Sequence, residues 1–176
     1  MNIVFLDRDG TLIVDPEDER VDREDKIKLF SDTIEALTYL REHNFAVIMI
    51  TNQAAIAEGR INSADFDRIN NKVVEMLAPS GVTILKTYMC PHGPGDGCEC
   101  RKPKPTMLLE AIHEFNVDPA STYMVGDRES DILAGIYAGM KTILVKTANV
   151  PVEVPEATYT APNLLDAVKY VVSNAS

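Results

Sequence analysis

Short apolar runs, each about the length of a buried strand, alternate with amphipathic helical patterns along this chain of 176 residues. The predicted strands cover residues 3–6, 45–50, 82–88, 122–125 and 142–145. The predicted helices run from Ser31 or Asp32 to about His43, from Ser63 to Leu77, from Pro105 to about Phe115, over 131–138 and over 164–172. Such alternation predicts an α/β fold, in which a parallel sheet lies between helices on both faces as a three-layer, Rossmann-like arrangement. No repeat or linker divides the chain, so we expect residues 1–176 to form a single domain.

The composition disfavours two kinds of partner. The formal net charge of −10 opposes nucleic acid as the main ligand, because binding to a phosphate backbone needs a basic surface. A small phosphorylated ligand remains compatible, since a metal ion and a few local cations can reverse the charge of one pocket. No apolar stretch approaches the ~18–20 residues that span a bilayer, and the N-terminus lacks the features of a signal peptide. We therefore expect a cytoplasmic protein that binds neither nucleic acid nor membranes. We also expect it to be a monomer, although no sequence feature specifies the oligomeric state.

Polar side chains follow the predicted strands at the points where those strands end. Asp7 and Asp9 follow the first strand, Thr51 and Asn52 follow the second, and Asp127 follows the fourth. A loop rich in cysteine, glycine and proline follows the third. Because ligands of parallel α/β sheets bind beyond the carboxyl ends of the strands, we expect these residues to converge there.

The residue types at this edge suit metal-assisted phosphate chemistry. Mg²⁺ prefers oxygen ligands, which Asp7, Asp9 and Asp127 can supply together with a substrate phosphate. Arg101 and Lys102 add cations for the phosphate oxygens. A carboxylate nucleophile can form an aspartyl-phosphate, and a neighbouring carboxyl group can protonate the leaving alcohol and then activate water. We therefore predict a Mg²⁺-dependent phosphatase that acts on a small phosphomonoester.

Two less specific interpretations compete with this prediction. A single Asp-x-Asp is common in acidic surface loops, and Gly-Asp after a strand is ordinary turn chemistry. Four separate segments in order, each at a predicted strand end, favour a catalytic site instead. The other interpretation is a phosphate-binding or zinc-stabilised interaction protein that has lost catalysis. The presence of a complete set of candidate catalytic residues opposes it: Asp7, Asp9, Thr51, Lys102 and Asp127.

Four motifs resemble those of the haloacid dehalogenase (HAD) superfamily of phosphatases, and together they cover nearly the whole chain. They are Asp-Arg-Asp-Gly-Thr at 7–11, Thr-Asn-Gln at 51–53, Arg-Lys-Pro at 101–103 and Gly-Asp-Arg-Glu-Ser-Asp at 126–131. The resemblance implies that Asp7 is the nucleophile and a metal ligand. It also implies that Asp9 is the general acid and base, with its backbone carbonyl on Mg²⁺.

The same resemblance implies roles for the remaining motif residues. Thr51 and Lys102, with Asn52 and Arg101 beside them, hold the phosphoryl group and the substrate, Asp127 binds the metal, and Asp131 and Arg128 support that end of the site. The interval from the first motif to the second is filled by one loop and one helix, which leaves no room for a separate cap domain. Substrate specificity is therefore expected to come from loops on the HAD core itself.

A second metal site is predicted in the loop after the third strand. Three thiols and one imidazole form a complete tetrahedral set for structural Zn²⁺: Cys90, His92, Cys98 and Cys100. Burial of the cysteines as small apolar residues is the alternative, and a loop with several glycines and prolines disfavours it. Because Arg101 and Lys102 directly follow the last ligand, we expect zinc to position both against the substrate.

The Cys-Pro-His…Cys-x-Cys-Arg-Lys-Pro pattern resembles two groups within the superfamily. One is the D-glycero-D-manno-heptose 1,7-bisphosphate 7-phosphatases, and the alternative is the histidinol-phosphate phosphatases. The run from Thr51 to Ile61 favours the first group, whereas the short cysteine loop favours the second. Glu58 departs from the heptose pattern, because it places an anion where that group carries a cation. The expected partner is thus a sugar bisphosphate or an amino-alcohol phosphate, with the heptose bisphosphate preferred.

Overall fold

Six parallel strands form the single sheet of the computed structural model, which describes residues 2–147 and 152–175. In chain order the strands are β1 (Asn2–Leu6), β2 (Phe45–Asn52), β3 (Thr83–Cys90), β4 (Tyr123–Gly126), β5 (Lys141–Val145) and β6 (Tyr159–Ala161). Their order across the sheet is β3-β2-β1-β4-β5-β6. The five predicted strands correspond to β1–β5. The edge strand β6 was missed, because three residues are too few to show a hydrophobic period.

Helices cover both faces of this sheet. They are α1 (Thr33–Glu42), α2 (Ala54–Ala57), α3 (Ser63–Leu77), α4 (Thr106–Phe115), α5 (Glu129–Tyr137) and α6 (Leu164–Ser173). Apolar residues of α1, α3 and α6 lie in one core cluster with Val4 and Leu6. Apolar residues of α4 and α5 lie in another with Phe5. Because successive strand residues point to opposite faces, this division confirms the predicted three-layer arrangement.

Some helix boundaries differ from the prediction for local reasons. The cap of α3 is Asn62 rather than Ser63: the Asn62 side chain accepts from the Asp65 amide at 2.9 Å, and the Asp65 carboxylate accepts from the Asn62 amide at 3.1 Å. This reciprocal pair is a capping box. Asp32 stands at the start of α1, but its carboxylate accepts from the Leu165 amide at 3.0 Å instead of capping its own helix.

The central pair β1 and β4 fixes the position of the candidate site. After β1 ends, the Asp7 amide still donates to the Val125 carbonyl of β4 at 2.9 Å. The residues that follow these two strands therefore leave the sheet side by side, at the point where the strand order reverses direction. Crevices at such points bind ligands in open α/β sheets. Within the described ranges, no helix has the length and apolar character needed to cross a membrane.

Candidate active site

A buried lysine contacts two buried carboxylates at the carboxyl end of the sheet. Lys102 Nζ lies 2.5 Å from Asp7 Oδ1 and 2.5 Å from Asp131 Oδ1, and it donates to the Ile50 carbonyl at 2.8 Å. Burial acts to lower the pKa of Lys102, but the adjacent carboxylates of Asp131 and Asp7 raise that pKa above its ordinary value overall. Lys102 is therefore held as a cation beside Asp7.

Three buried carboxylates cluster around this cation. Ligand atoms of Asp7, Asp127 and Asp131 all lie within 4.8 Å of one another. Burial is the main cause that raises the pKa of Asp7 well above its usual range, and it raises the pKa of Asp127 to about 7, with help from the Asp131 charge. When ionised, these three carboxylates carry more negative charge than the single ammonium group of Lys102 balances.

The Asp127 carboxylate is poised for a metal ion. Its Oδ1 accepts from the Thr11 hydroxyl at 3.3 Å, whereas the buried Oδ2 has no hydrogen-bond partner among the described residues. Arg128 Nε lies 3.8 Å from Oδ2, too far for a hydrogen bond. A buried carboxylate oxygen without a hydrogen bond, next to two further carboxylates, matches the oxygen-rich environment that Mg²⁺ requires. The donor set therefore fits a divalent cation.

Two glycines allow the chain to approach these carboxylates closely. Gly10 has φ of +84°, and a Cβ built there would overlap the Asp127 carboxylate. A Cβ at Gly126 would overlap the Asp131 side chain in the same way. Glycine at both positions lets backbone pack directly against the acidic cluster, and at Gly10 it also supplies the positive φ.

The Asp9 carboxylate lies outside this group of three and is hydrogen-bonded to two residues that the sequence did not identify. Arg8 Nε and Nη2 donate to the two Asp9 carboxylate oxygens at 2.8 and 3.1 Å. Gln53 Nε2 donates to Asp9 Oδ2 at 2.7 Å and to the Thr51 hydroxyl at 2.9 Å. Both residues belong to the recognised motifs, which is a signal that could have found them. The carboxyl group of Asp9 is thus oriented toward the pocket from two sides.

Asn52 makes a structural contact that the sequence did not predict. Its Nδ2 donates to the Lys102 carbonyl at 3.2 Å and its Oδ1 accepts from the Lys102 amide at 3.1 Å. One N–H of the amide is thus bound to the backbone of Lys102, while Asn52 also lines the pocket, so its predicted contact with the substrate stays a prediction. Asn52 ties the end of β2 to the lysine segment and fixes where that segment enters the site.

The pocket above these groups has a charged rim. Its lining includes Asp7, Asp9, Thr51 and Lys102 at the base and Arg20, Arg101 and Arg128 at the rim. Arg128 donates to Asp15 Oδ2 at 2.8 Å, and Arg101 donates to the His92 carbonyl at 2.9 Å. Of the predicted active-site residues, all but Asp127 therefore line one cavity, and its rim carries the carboxylates of Asp15 and Glu19 as well as the three arginines.

The predicted zinc ligands also come together. The sulfur atom of Cys98 lies 3.7 Å from that of Cys90 and 3.8 Å from that of Cys100, and His92 Nδ1 lies 3.3 Å from Cys100 Sγ. Tetrahedral Zn–S bonds of about 2.3 Å imply sulfur atoms about 3.8 Å apart. The pair Cys90 and Cys100, at 2.9 Å, is closer and has to open slightly around an ion. The cluster is compatible with structural zinc.

Glu58 does not line the pocket, although its position in the motif suggested an anion near the substrate. Its carboxylate instead accepts from Arg20 Nε and Nη2 and lies 3.1 Å from Arg60 Nε. The rim cation next to Glu58 is thus supplied by Arg20, from a different part of the sequence. The departure at Glu58 therefore adds no negative charge to the cavity lining.

Known proteins match this chain over most of its length. A HAD-hydrolase-like family profile matches residues 99–167. The D-glycero-beta-D-manno-heptose-1,7-bisphosphate 7-phosphatase of Pasteurella multocida (strain Pm70) is 39% identical over 177 residues, covering 96% of this chain and 95% of the relative. The protein of the same name from Escherichia coli (strain K12) is 36% identical, covering 94% of this chain and 88% of the relative.

A solved structure gives the same result. The D,D-heptose 1,7-bisphosphate phosphatase of B. bronchiseptica, complexed with magnesium and phosphate, matches with a TM-score of 0.91 and 32% identity. The match covers 99% of this chain and 100% of that one. The sequence comparison and the structure comparison therefore both find heptose 1,7-bisphosphate phosphatases.

Proposed function

The chain belongs to the D-glycero-beta-D-manno-heptose-1,7-bisphosphate 7-phosphatases of the HAD-like hydrolases, and we propose that it hydrolyses the 7-phosphate of that sugar bisphosphate. The HAD resemblance of the four motifs is thereby confirmed. The observation that carries the proposal is the 39% identity to a relative of this name across 95% of that relative's length. The cavity supports the proposal independently, because the candidate nucleophile Asp7 and the buried cation Lys102 lie together at its bottom, next to the cluster of carboxylates.

In the first step Asp7 attacks phosphorus, and the bond from phosphorus to the sugar oxygen breaks, giving an aspartyl-phosphate. The ammonium group of Lys102, 2.5 Å from Asp7 Oδ1, neutralises charge on the nucleophile and then on the transferred phosphoryl oxygens. The Thr51 hydroxyl, buried at the end of β2, is available to the same oxygens.

Asp9 transfers the protons. Its carboxyl group donates a proton to the departing sugar oxygen, then removes one from the water that hydrolyses the aspartyl-phosphate. Arg8 and Gln53 hold this carboxyl group through the hydrogen bonds described above, so it stays oriented toward the pocket through both steps. They are positioning residues.

The proposed enzyme uses two metal ions, Mg²⁺ at the active site and Zn²⁺ in the cysteine loop. Mg²⁺, held by Asp7, Asp127 and the Asp9 carbonyl, supplies positive charge to the phosphoryl group when bound. Asp131 supports the same end of the site through Lys102. Structural Zn²⁺ in the Cys90–Cys100 loop fixes the segment that carries Arg101 and Lys102. The buried Asp127 oxygen that lacks a hydrogen bond supports the first ion, and the clustering of the thiols and the imidazole supports the second.

We further propose that residues 1–176 act as one domain and as a monomer in the cytoplasm. Reduced thiols grouped as metal ligands suit a reducing compartment.

The substrate is tested by comparing two phosphate esters with the same purified enzyme and Mg²⁺. We expect kcat/KM for heptose 1,7-bisphosphate to exceed that for histidinol phosphate at least about 100-fold, because differential binding of this size corresponds to two or three specific contacts. The released product should retain the 1-phosphate. Preferred turnover of histidinol phosphate would establish the alternative substrate, and inactivity on both esters would support the non-catalytic interpretation.

A further inference from the structure

One rim arginine is held in place by a residue outside the pocket. Arg20 lines the cavity, and its Nε donates to both Glu58 oxygens at 3.0 Å, while its Nη2 donates to Glu58 Oε1 at 2.5 Å. On the other side of the guanidinium, Nη1 donates to the Glu19 carbonyl at 2.9 Å. The group is therefore fixed along two edges.

These contacts leave part of the guanidinium for a ligand. The group carries five N–H donors. Among the described residues, hydrogen bonds account for one donor each on Nε, Nη1 and Nη2, so Nη1 and Nη2 each retain one. Donors left on Nη1 and Nη2 can bind phosphate or carboxylate oxygens through charge-assisted hydrogen bonds.

The anchor of Arg20 is itself braced by a network of charges. Glu58 also lies 3.1 Å from Arg60, and Arg60 contacts Asp18 at 3.0 Å. Lys26 contacts Asp18 at 2.8 Å and donates to the Arg20 carbonyl at 3.0 Å. Single exposed ion pairs contribute little, but a network restricts the positions of its members. This network joins the loop around Arg20 to the segment after α2.

We infer that Arg20, oriented by Glu58, is a specificity-determining residue that binds the second phosphate of a bisphosphate substrate at the pocket rim. This inference rests on the proposed function. Glu58, although an anion, supports this subsite, because it fixes the cation of Arg20 from another segment. The reacting phosphate lies at the base with Asp7 and Lys102, so the rim receives the opposite end of the sugar.

The test separates recognition of the second phosphate from recognition of the sugar. KM and kcat are measured for heptose 1,7-bisphosphate and for heptose 7-phosphate, which differ only in the 1-phosphate. We expect Arg20→Gln to raise KM for the bisphosphate about 10- to 100-fold, the range for a charged hydrogen bond, while KM for the monophosphate stays within about twofold. Glu58→Gln should raise KM for the bisphosphate by a smaller factor.

Arg23→Gln is the matched control, because Arg23 lies in the same loop and contacts Asp25 at an exposed site. It should leave both KM values unchanged. Equal increases for both substrates in Arg20→Gln, or no increase for either, would overturn the inference while leaving the proposed function intact. Failure of the wild-type enzyme to hydrolyse the bisphosphate would instead remove both. Thermal unfolding of each variant verifies that the fold is retained.

Discussion

Arg8 is fully buried, and its guanidinium binds the carboxylate of its own neighbour, Asp9, through hydrogen bonds of 2.8 and 3.1 Å. The ring centre of Phe66 lies 5.3 Å from the guanidinium carbon, so an aromatic face covers the cation. A buried arginine is expensive to desolvate unless it is paired. The pairing therefore stabilises Arg8 in the core and at the same time fixes the direction of Asp9.

Replacement of Arg8 by methionine should impair catalysis and stability together. We expect kcat to fall about 10- to 100-fold with KM nearly unchanged, since Asp9 acts in proton transfer, whose usual contribution is 10²–10⁴-fold. The free energy of unfolding should fall by about 2 kcal/mol, less than the ~3–5 kcal/mol for a fully buried pair, because Asp9 is partly exposed. Arg8→Lys should restore part of kcat. A wild-type kcat in folded Arg8→Met protein would contradict the positioning role.

Asp7→Asn should abolish phosphate release and leave the protein folded. Asparagine has the same shape but no nucleophilic carboxylate, so no aspartyl-phosphate forms. Burial disfavours the charge on Asp7, and Lys102 keeps Asp131 as a partner in the variant, so stability should change little. Phosphate release and thermal unfolding measure the two effects. Activity near the wild-type level would refute the assignment of Asp7 as nucleophile.

Mg²⁺ should stabilise the protein more at pH 8 than at pH 5. In the metal-free site, burial first and then the Asp131 charge raise the pKa of Asp127 from 3.8 to about 7. Between about pH 4 and pH 7, Asp127 is then protonated more fully in the folded state than in the unfolded state. The stability that this protonation contributes is lost as the pH rises through that window. Above pH 7 the ionised carboxylates of the cluster repel one another, and a bound cation offsets this repulsion.

The measurement is thermal unfolding at pH 5 and pH 8, with Mg²⁺ and with chelator. The difference between the two pH values should shrink in Asp127→Asn, which cannot ionise. An equal Mg²⁺-induced shift at both pH values in the wild type would contradict the linkage.

The acidic cluster was predictable because the sequence next to its members indicates where they lie in the fold. Asp7 and Asp127 each follow an apolar run of strand length, and the carboxyl ends of parallel strands share one edge. The first motif includes Arg8, but nothing local indicates that its side chain is buried, because an arginine between two aspartates is normally expected to be a solvent-exposed charge. Its burial depends on Phe66 and Asn70 in α3, which are distant in sequence.

The contact between Arg20 and Glu58 at the pocket rim could not be predicted from the sequence either. Arg20 and Glu58 are 38 positions apart, and no pattern in either segment specifies that they pair. From sequence, Glu58 indicates only a change of charge near the site. The pairing emerges from the way the loop before α1 folds over the segment after α2, which is a tertiary property.

The purified protein should contain about one zinc ion per chain. Its ligands lie close enough to enclose a single ion, and the Arg101 guanidinium donates to the carbonyl of one of them, His92. Cys98→Ser should therefore lower the zinc content, raise KM because Arg101 loses its anchor, and lower the unfolding temperature. Asp96→Asn is the control, since Asp96 accepts from the Gly93 amide at 2.7 Å in the same loop but lies outside the cluster. Elemental analysis, steady-state kinetics and thermal unfolding measure the three effects. Active wild-type protein without zinc would rule out a structural role for this metal.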